Sequence, residues 1–278
     1  MFGFTKNTDA YNGRQSSIFN GFTVGSCFSG GRNVLGIPKD GLMAWWNPEV
    51  GIVTSSGRVV TWTDVSGNYT LRPTAFSSTV IIGPQYVTDV NSAFNNKPYI
   101  NFDTSAGQKR NLSQSSPVDE NWLNITPDGG YTFVYACNFQ EAIGQNTPFF
   151  TSNGMSMYYD NSIFLKAYGN GVAYASFLSI PSPTLNSINV HSISSDLKNG
   201  RWWYSTNGSF QSVIGTTGTV DRNNANATNI LRFLNGGFAG FNGGGTKIFL
   251  YDIFVYNKVL TEFEYKCIYE YIKTKYKV

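Results

Sequence analysis

Charged residues are scarce in this chain, and their scarcity argues against several classes of protein. Only 13% of the 278 residues are Asp, Glu, Lys or Arg, and the formal net charge is +3. No run of Lys and Arg exceeds the pair Lys109-Arg110, so we expect no nucleic-acid partner. Because the first thirty residues hold no apolar segment flanked by charge, we also expect neither a signal peptide nor a membrane partner.

Cysteine and histidine are equally rare. The three cysteines, Cys27, Cys137 and Cys267, lie too far apart for a regular disulfide framework or a zinc site, and we interpret them as free thiols from a reducing cytoplasm. Any Ser-His-Asp triad or histidine-based metal site would have to use the one histidine, His191. The strand pattern favours a structural role for it, facing opposite to Val190.

Aromatic residues, glycine and small polar residues are abundant instead. Aromatics reach 16% and the chain has 29 glycines, a composition typical of strands and turns. From Leu42 onward about a dozen short strand-like runs recur between turn signals, which predicts an all-β, two-sheet antiparallel sandwich. Residues 1–40 show no periodicity and are interpreted as an irregular N-terminal arm, and residues 41–278 as one sandwich domain.

A hairpin is predicted where Asn207-Gly208 separates the runs RWWYST and SFQSVIG. Both central residues of a type I′ turn need positive φ, which Asn and Gly adopt most readily. Alternation along the first strand places Trp203 on the sheet face opposite to Trp202 and Tyr204.

A single amphipathic helix is predicted at the C-terminal end. Thr261 and Glu264 have the spacing of a capping box, in which each side chain satisfies a free backbone N–H group. The face packed on the sandwich is expected to contain Phe263, Cys267, Ile268, Tyr271 and Ile272.

The segment VVTWTDVSGN, residues 59–68, joins a strand to a glycine turn. Strict alternation sets Val59 and Thr61 against Val60, Trp62 and Asp64. Trp62 is then expected to supply core area, while Asp64, near the strand end, accepts N–H groups of the turn Ser66-Gly67-Asn68.

Four segments of the chain, taken in order, resemble a known family. They are GLMAWWNPEVGIVTSSGRVVTWTDVSGNYTLRP, then KPYINFD, then VHSISSDLKNGRWWYSTNGSF, then GGTKIFLYDIFVYNKVLTEFEYKCIYEYIKTKY. They resemble the concanavalin A-like lectin/glucanase domains of the laminin-G type, which occur in bacterial surface proteins and phage structural proteins. The resemblance covers residues 41–278 and implies a jelly-roll sandwich. It also implies an architectural motif, here Trp62, Asp64, Ser66, Gly67, Asn68, Phe102 and Asp103.

Glycoside hydrolysis is not expected, although glucanases share this fold. The resembling glucanases carry two glutamates and an aspartate at E-x-D-x-E or E-x-D-x-x-E spacing on one strand, and retaining hydrolysis needs two carboxyl groups about 5 Å apart. Here only Glu262 and Glu264 lie close in sequence, and on a helix that spacing separates the side chains. We therefore predict a non-enzymatic protein and name no catalytic residue.

Calcium is a possible cofactor, because many members of the resembling family bind it through loop oxygens. The pair Asp160-Asn161, and Asp221 with Asn223-Asn224, could supply such oxygens. Asn and Asp are also ordinary turn residues, and no regular spacing selects a site. Metal ligands therefore stay unassigned, and no other cofactor is expected.

Glycan binding needs an exposed aromatic platform beside hydrogen-bonding groups, and Tyr158, Tyr159 and Trp203 are the candidates. The interpretation we favour is that one member of each adjacent aromatic pair lies in the core, while the other packs beneath a loop or at a subunit contact.

A virion structural protein, such as a capsid decoration subunit, accommodates these features best. Phage particles assemble in the host cytoplasm and leave by lysis, so their surface proteins need no signal peptide. The arm would attach to other virion subunits, and a symmetric homo-oligomer is expected. The alternative is a glycan-binding adhesin of a tail fibre or cell surface, whose partners are host-surface glycans.

Overall fold

A computed structural model describes a large part of the chain. The described residues are 36–73, 83–88, 95–103, 112–114, 130–140, 147–152, 155–160, 164–169, 172–179, 183–196, 201–213, 232–233 and 247–278. They form strands β1 Leu42–Trp46, β2 Ile52–Ser55, β3 Arg58–Thr63, β4 Thr70–Arg72, β5 Gln85–Val87, β6 Tyr99–Asp103, β7 Leu112–Gln114, β8 Gly130–Phe139, β9 Thr147–Ser152, β10 Met155–Asp160, β11 Phe164–Gly169, β12 Val172–Ser179, β13 Ile188–Asp196, β14 Arg201–Thr206, β15 Ser209–Val213, β16 Arg232–Phe233 and β17 Lys247–Tyr256, and helix α1 Glu262–Tyr276.

Antiparallel pairing arranges these strands in two layers. The helix-side sheet runs β15-β14-β13-β8-β17, and the far side of β17 pairs with β6 along its first half and with β1 along its second. The outer sheet runs β2-β3-β4-β7-β16-β9-β10-β11-β12. Strand β5 joins the layers by pairing with both β3 and β6. The predicted all-β antiparallel sandwich with a C-terminal helix is confirmed.

The inter-sheet core fills the space between the two layers. Alternate residues of β8 point into it, and Trp62 and Leu71 meet them from the outer sheet. The opposite face of the helix-side sheet forms the helix-side core with α1, a buried cluster that includes Val134, Val190 and Ile268. Strand β8 is therefore buried on both faces, which explains why nine of its ten residues are buried.

The strict alternation predicted for β3 is wrong at its start. Val53 pairs with Thr61 but Thr54 pairs with Val59, so β3 carries one extra residue at Val60. Such a bulge leaves the inserted residue out of the ladder and turns the strand. As a result Val59 and Trp62 are both buried, whereas Val60 is 43% exposed.

Helix α1 begins as the sequence predicts. The Thr261 hydroxyl accepts the Glu264 N–H, and the Glu264 carboxylate accepts the Thr261 N–H, so the capping box is complete. The helix ends at Tyr276, and the C-cap residue Lys277 adopts a left-handed conformation. Among the described residues no helix is both long and apolar enough to cross a bilayer.

The predicted contact face of α1 is wrong for Phe263. This side chain is 44% exposed, and Tyr265 is buried in its place with Ile268 and Ile272. A helix turns by about 100° per residue, so the spacing 265, 268, 272 follows one face while residue 263 lies on the opposite one. Tyr271 is half-buried and packs against the helix-side core, as predicted. Cys267 is buried, but it lies on the same face as Phe263, so the predicted contact face is wrong for Cys267 as well.

The interpretation of all three cysteines as free thiols is wrong for Cys267, which takes part in a disulfide. Cys137 is a free, buried cysteine, and Cys27 lies outside the described residues. Sequence spacing missed this bond because a disulfide depends on the distance between two Cα atoms in the fold rather than along the chain. Burial raises the pKa of the Cys137 thiol well above its ordinary value, which makes this thiol unreactive.

Candidate functional site

Trp203 lies on the face of the helix-side sheet that points away from the inter-sheet core. Tyr204, the next residue of β14, is buried in the inter-sheet core, and Trp203 is half-buried on the opposite face, as alternation predicts. Its cross-strand partners are Ser194 of β13 and Ser212 of β15. The register thus pairs Trp203 with a serine on each neighbouring strand.

Three further aromatic side chains continue this surface toward α1. Ser205 pairs with Phe210 across the hairpin, which places Phe210 on the same face as Trp203 and diagonal to it. The ring centroids of Phe210 and Tyr265 are 6.5 Å apart, and those of Tyr265 and Tyr269 are 6.4 Å apart. We call Trp203, Phe210, Tyr265 and Tyr269 the aromatic row.

Exposure differs along the aromatic row. Tyr265 is buried, whereas Trp203, Phe210 and Tyr269 are half-buried and so present part of each ring to solvent. Burial raises the pKa of Tyr265 well above its ordinary value, so its hydroxyl keeps its proton at physiological pH. In the part of the chain that the structure describes, β15 pairs only with β14, so Phe210 lies on an edge strand.

The β14–β15 hairpin fixes the row against the helix. Asn207 and Gly208 have φ values of 46° and 84°, as the predicted type I′ turn requires. The Gly208 N–H donates to the Tyr265 hydroxyl at 3.2 Å. A Cβ atom at Gly208 would lie 2.8 Å from the Tyr269 ring, so glycine is needed here both for its φ and for its lack of a side chain.

Side-chain amides lie beside the row at the hairpin tip. The Asn207 Oδ1 atom accepts the Val190 N–H at 2.8 Å, and its Nδ2 donates to the Asn189 Oδ1 at 3.2 Å. Asn189 in turn donates to the carbonyls of Thr184 and Ser187 at 2.9 Å. Asn207 is exposed, so a preorganised amide borders the aromatic rings, an arrangement that suits a ligand with one apolar face and polar edges.

Tyr158 and Tyr159 lie within strand β10. Their backbone partners are Lys166 and Leu165 of β11, and consecutive residues of a strand point to opposite faces. Strand β10 belongs to the outer sheet and β14 to the helix-side sheet. The structure therefore does not place these tyrosines on the same sheet as Trp203, and their role in glycan binding stays a prediction.

Asp64 organises the glycine turn that follows β3. Its Oδ2 atom accepts the Ser66 N–H and hydroxyl at 3.0 and 2.6 Å, and its Oδ1 atom accepts the N–H groups of Asn68 and Tyr69 at 2.9 and 2.8 Å. Gly67 has a φ of 80°. Trp62 is fully buried in the inter-sheet core, so the carboxylate and the indole both serve the architecture of this corner.

Phe102 and Asp103 end strand β6. Phe102 is buried in the inter-sheet core, and Asp103 pairs with Lys247, the first residue of β17. This motif thus lies where β6 joins the helix-side sheet.

Asp252 is a buried carboxylate that the sequence analysis missed. Between Leu250 and Ile253, strand β17 carries one residue more than β8, and the bulge places Asp252 beneath α1. The carboxylate accepts hydrogen bonds from the Trp45 Nε1, Lys275 Nζ and Tyr276 hydroxyl groups at 2.7, 2.8 and 2.6 Å. It therefore locks the last turn of α1 onto β1 and β17.

His191 lies fully buried between the sheets. Its Nδ1 atom is 2.6 Å from the Tyr204 hydroxyl oxygen, and its ring stacks on Tyr135 at 5.2 Å. Burial lowers the pKa of His191 to about 3, which keeps the ring neutral at physiological pH. Val190 lies in the helix-side core, so the two residues face opposite ways, as predicted.

Metal ligands are not clustered in the described part of the chain, which contains no group of three or more His, Cys, Asp or Glu side chains suited to a metal ion. Asp160 is the last residue of β10. The other residues considered for calcium, Asn161, Asp221, Asn223 and Asn224, lie outside the described residues.

Comparison with known proteins places the fold but not the family. No protein-family model matches the sequence, and no curated protein sequence matches it. Solved structures do match: the Trypanosoma rangeli sialidase in complex with sialic acid has a TM-score of 0.54 and 13% identity over 86% of this chain and 34% of that chain. This chain therefore spans about a third of that sialidase.

The binding domain of botulinum neurotoxin D/C is similar as well. Its complex with rat synaptotagmin II has a TM-score of 0.56 at 11% identity over 84% of this chain and 52% of that chain. Its complex with SialylT has a TM-score of 0.55 with the same identity and coverage. The chain thus spans about half of these structures, and it shares their β-sandwich fold, in keeping with the lectin-like resemblance of its sequence.

Proposed function

We propose that this chain is a non-enzymatic, lectin-like module that binds glycans through the aromatic row. The observation that carries the proposal is the row itself: the half-buried rings of Trp203 and Phe210 on the helix-side sheet are continued through Tyr265 to the half-buried ring of Tyr269 on α1. The fixed amide of Asn207 borders this row. The apolar face of a sugar ring stacks on such surfaces, while its hydroxyl groups bond to the polar margin.

The structural comparisons support the same class of ligand. The similar sialidase was solved with sialic acid, and the similar neurotoxin binding domain was solved with SialylT. These names describe those proteins, and we extend only the general class, a carbohydrate, to this chain.

A non-catalytic role is proposed because three buried or half-buried carboxylates already form hydrogen bonds or ion pairs that stabilise the fold. Asp64 accepts hydrogen bonds from its own turn, Asp252 binds Lys275, and Glu264 binds Lys258 at 2.6 Å. The test is incubation with a panel of β-glucans and sialosides, which should release no reducing sugar or free sialic acid. Release of either product would reject this part of the proposal.

Glycan-array binding tests the proposed site. The intact chain should bind a subset of glycans, and Trp203→Ala or Tyr269→Ala should weaken that binding roughly tenfold through loss of ring stacking. Phe263→Ala removes an exposed ring on the opposite face of α1 and serves as the matched control. Far-UV circular dichroism checks that each variant is folded.

Three array results would contradict the proposal. The first is an absence of binding by the intact chain both with and without calcium. The second is equal loss of binding in Phe263→Ala and Trp203→Ala, which would mean that the row has no special role. Loss of binding in Tyr159→Ala alone would move the site to β10 of the outer sheet and would also reject the row.

We further propose that the module is displayed on a virion, with the part of the predicted arm before residue 36 attaching it to neighbouring subunits, since Ile37 lies in the helix-side core. The glycine-rich composition of the arm and the resemblance of residues 41–278 to phage structural proteins support this placement. Deletion of residues 1–35 should abolish incorporation into particles while the sandwich still folds. Unchanged incorporation would reject the attachment role.

A further inference from the structure

The far face of α1, opposite the sheet, is covered around Cys267. This side chain is 1% exposed, yet in the described part of the chain it belongs to neither the inter-sheet core nor the helix-side core. Phe263 lies one turn earlier on the same face and is 44% exposed. Something other than the described sandwich therefore covers the helix at Cys267.

The disulfide of Cys267 identifies what covers it. The chain contains three cysteines, Cys267 is disulfide-bonded and Cys137 is free. Within one chain, Cys27 is then the remaining partner. We propose that Cys27 forms a disulfide with Cys267 of the same chain, and that residues 22–28, FTVGSCF, dock on the far face of α1.

The position of the described chain start makes this link feasible. Ile37 belongs to the helix-side core, and Asp40 accepts a hydrogen bond from Lys258 at 2.6 Å, the same ammonium group that binds Glu264. The chain therefore enters the fold beside the first turn of α1. Cys27 is nine positions before Gly36, a span of about 30 Å when extended, and Cys267 lies only about 4.5 Å along the axis from Glu264.

The chemistry of the segment fits the surface. Phe22, Val24 and Phe28 flank Cys27 in the sequence, and the exposed ring of Phe263 offers an apolar partner beside Cys267. Forming the bond oxidises two thiols with loss of two protons and two electrons, which a low-molecular-weight disulfide accepts as it is reduced to two thiols. The stapled arm would still leave residues 1–21 available for other contacts.

Peptide mapping without reduction tests the link. Trypsin should yield residues 15–32 joined to residues 267–273, and reduction should separate them. One thiol per chain should titrate in the denatured, unreduced protein, two in Cys27→Ser or Cys267→Ser, and none in the control Cys137→Ser. A non-reducing gel should show a monomer.

Several results would overturn the link. Three titrating thiols would show that no disulfide exists, and a covalent dimer on the non-reducing gel would place the bond between chains. A tryptic fragment that joins Cys27 to Cys137 would show that Cys27 is bonded to Cys137 and not to Cys267.

A second experiment tests whether residues 22–28 pack on α1, which the disulfide alone does not require. It measures the equilibrium between the disulfide and the two reduced thiols. If the apolar residues around Cys27 pack on Phe263, then Phe263→Ala should make the disulfide about threefold easier to reduce in a glutathione redox buffer. Thr274→Ala, an exposed position farther along the same face, is the matched control and should leave the equilibrium unchanged. An unchanged equilibrium in Phe263→Ala would reject the docking surface.

Discussion

Two buried carboxylates, Asp64 and Asp252, are satisfied in opposite ways. Asp64 accepts hydrogen bonds from groups no more than five positions away in the chain, so the glycine turn provides all of these partners. The partners of Asp252 are 207, 23 and 24 positions away. The comparison teaches that a buried charge can be predicted from sequence when its partners are local, and only from the fold when they are distant.

Removing Asp252, whose partners are distant in the chain, should have the largest effect on the free energy of unfolding. Asp252→Ala leaves the Lys275 ammonium, whose side chain is 6% exposed, without its buried counter-charge. Removing one member of a buried ion pair costs about 3–5 kcal/mol, and we expect that loss in the free energy of unfolding measured with urea. Glu262→Ala, which breaks the exposed pair with Lys266, is the control and should cost less than about 1 kcal/mol. Equal losses would mean that Asp252 is not an energetic centre.

Removing Asp64, whose partners are close in the chain, should destabilise the fold less and should affect only the turn. Asp64→Ala removes the acceptor for two backbone amides of the turn and for the Ser66 hydroxyl and amide. Since the turn lies near solvent, water can replace part of these bonds, and we expect a loss of about 2 kcal/mol. Hydrogen exchange should accelerate at Asn68 and Tyr69 but not in α1. Faster exchange throughout α1 would contradict a local role.

Two of the positive-φ glycines, Gly67 and Gly208, sharpen the same comparison. Gly67 in the Asp64 turn has open space where a Cβ would lie, whereas a Cβ at Gly208 would lie 2.8 Å from the Tyr269 ring. Gly67→Ala should therefore cost only the backbone strain, about 1 kcal/mol. Gly208→Ala should cost roughly 1 kcal/mol more, because Tyr269 must also move. Thermal unfolding measures both losses of stability. Equal losses would show that Tyr269 can move aside without destabilising the fold.

The capping box is a second local motif, and its loss should have an effect as small as that of Gly67→Ala. Thr261→Ala is expected to cost about 1 kcal/mol, measured by urea unfolding at pH 7. Burial alone would raise the pKa of Glu264, but hydrogen bonds from Lys258 and Thr261 lower it overall below its ordinary value. A lowered carboxyl pKa stabilises the fold above the unfolded pKa, and this contribution is lost as the pH falls. The cost of Thr261→Ala should therefore be smaller at pH 3 than at pH 7, and an equal cost at both would contradict the coupling.

The same division explains how much of the fold could be predicted. The capping box, the Asn207-Gly208 hairpin and the Asp64 turn depend on residues within a few positions of each other, and the structure contains all three. The bulges at Val60 and Asp252 could not be predicted, because an extra residue in a strand is defined by the register of its neighbour. The disulfide of Cys267 was missed for the same reason, since its partner lies close only in the folded chain.

The candidate site was predictable only in part. Alternation gives the face of Trp203, and the two-residue hairpin loop implies that Ser205 and Phe210 pair, so Phe210 could have been added from the sequence. Tyr265 and Tyr269 could not, because they come from a helix whose orientation on the sheet is set by the helix-side core. The prediction of Phe263 as a contact residue was wrong because the periodicity of α1 also admits a face that begins at Tyr265.

The place of β17 in the sheet has a consequence for synthesis of the protein. This strand lies between β8 on one side and β1 and β6 on the other, yet it follows β8 by more than a hundred residues. Until β17 has been synthesised, β8 therefore lacks its neighbour on that side and the helix-side sheet cannot close. Pairing between segments so far apart in the chain is slow to form and leaves apolar strand faces exposed to aggregation, so the yield of folded protein should rise when expression is slowed.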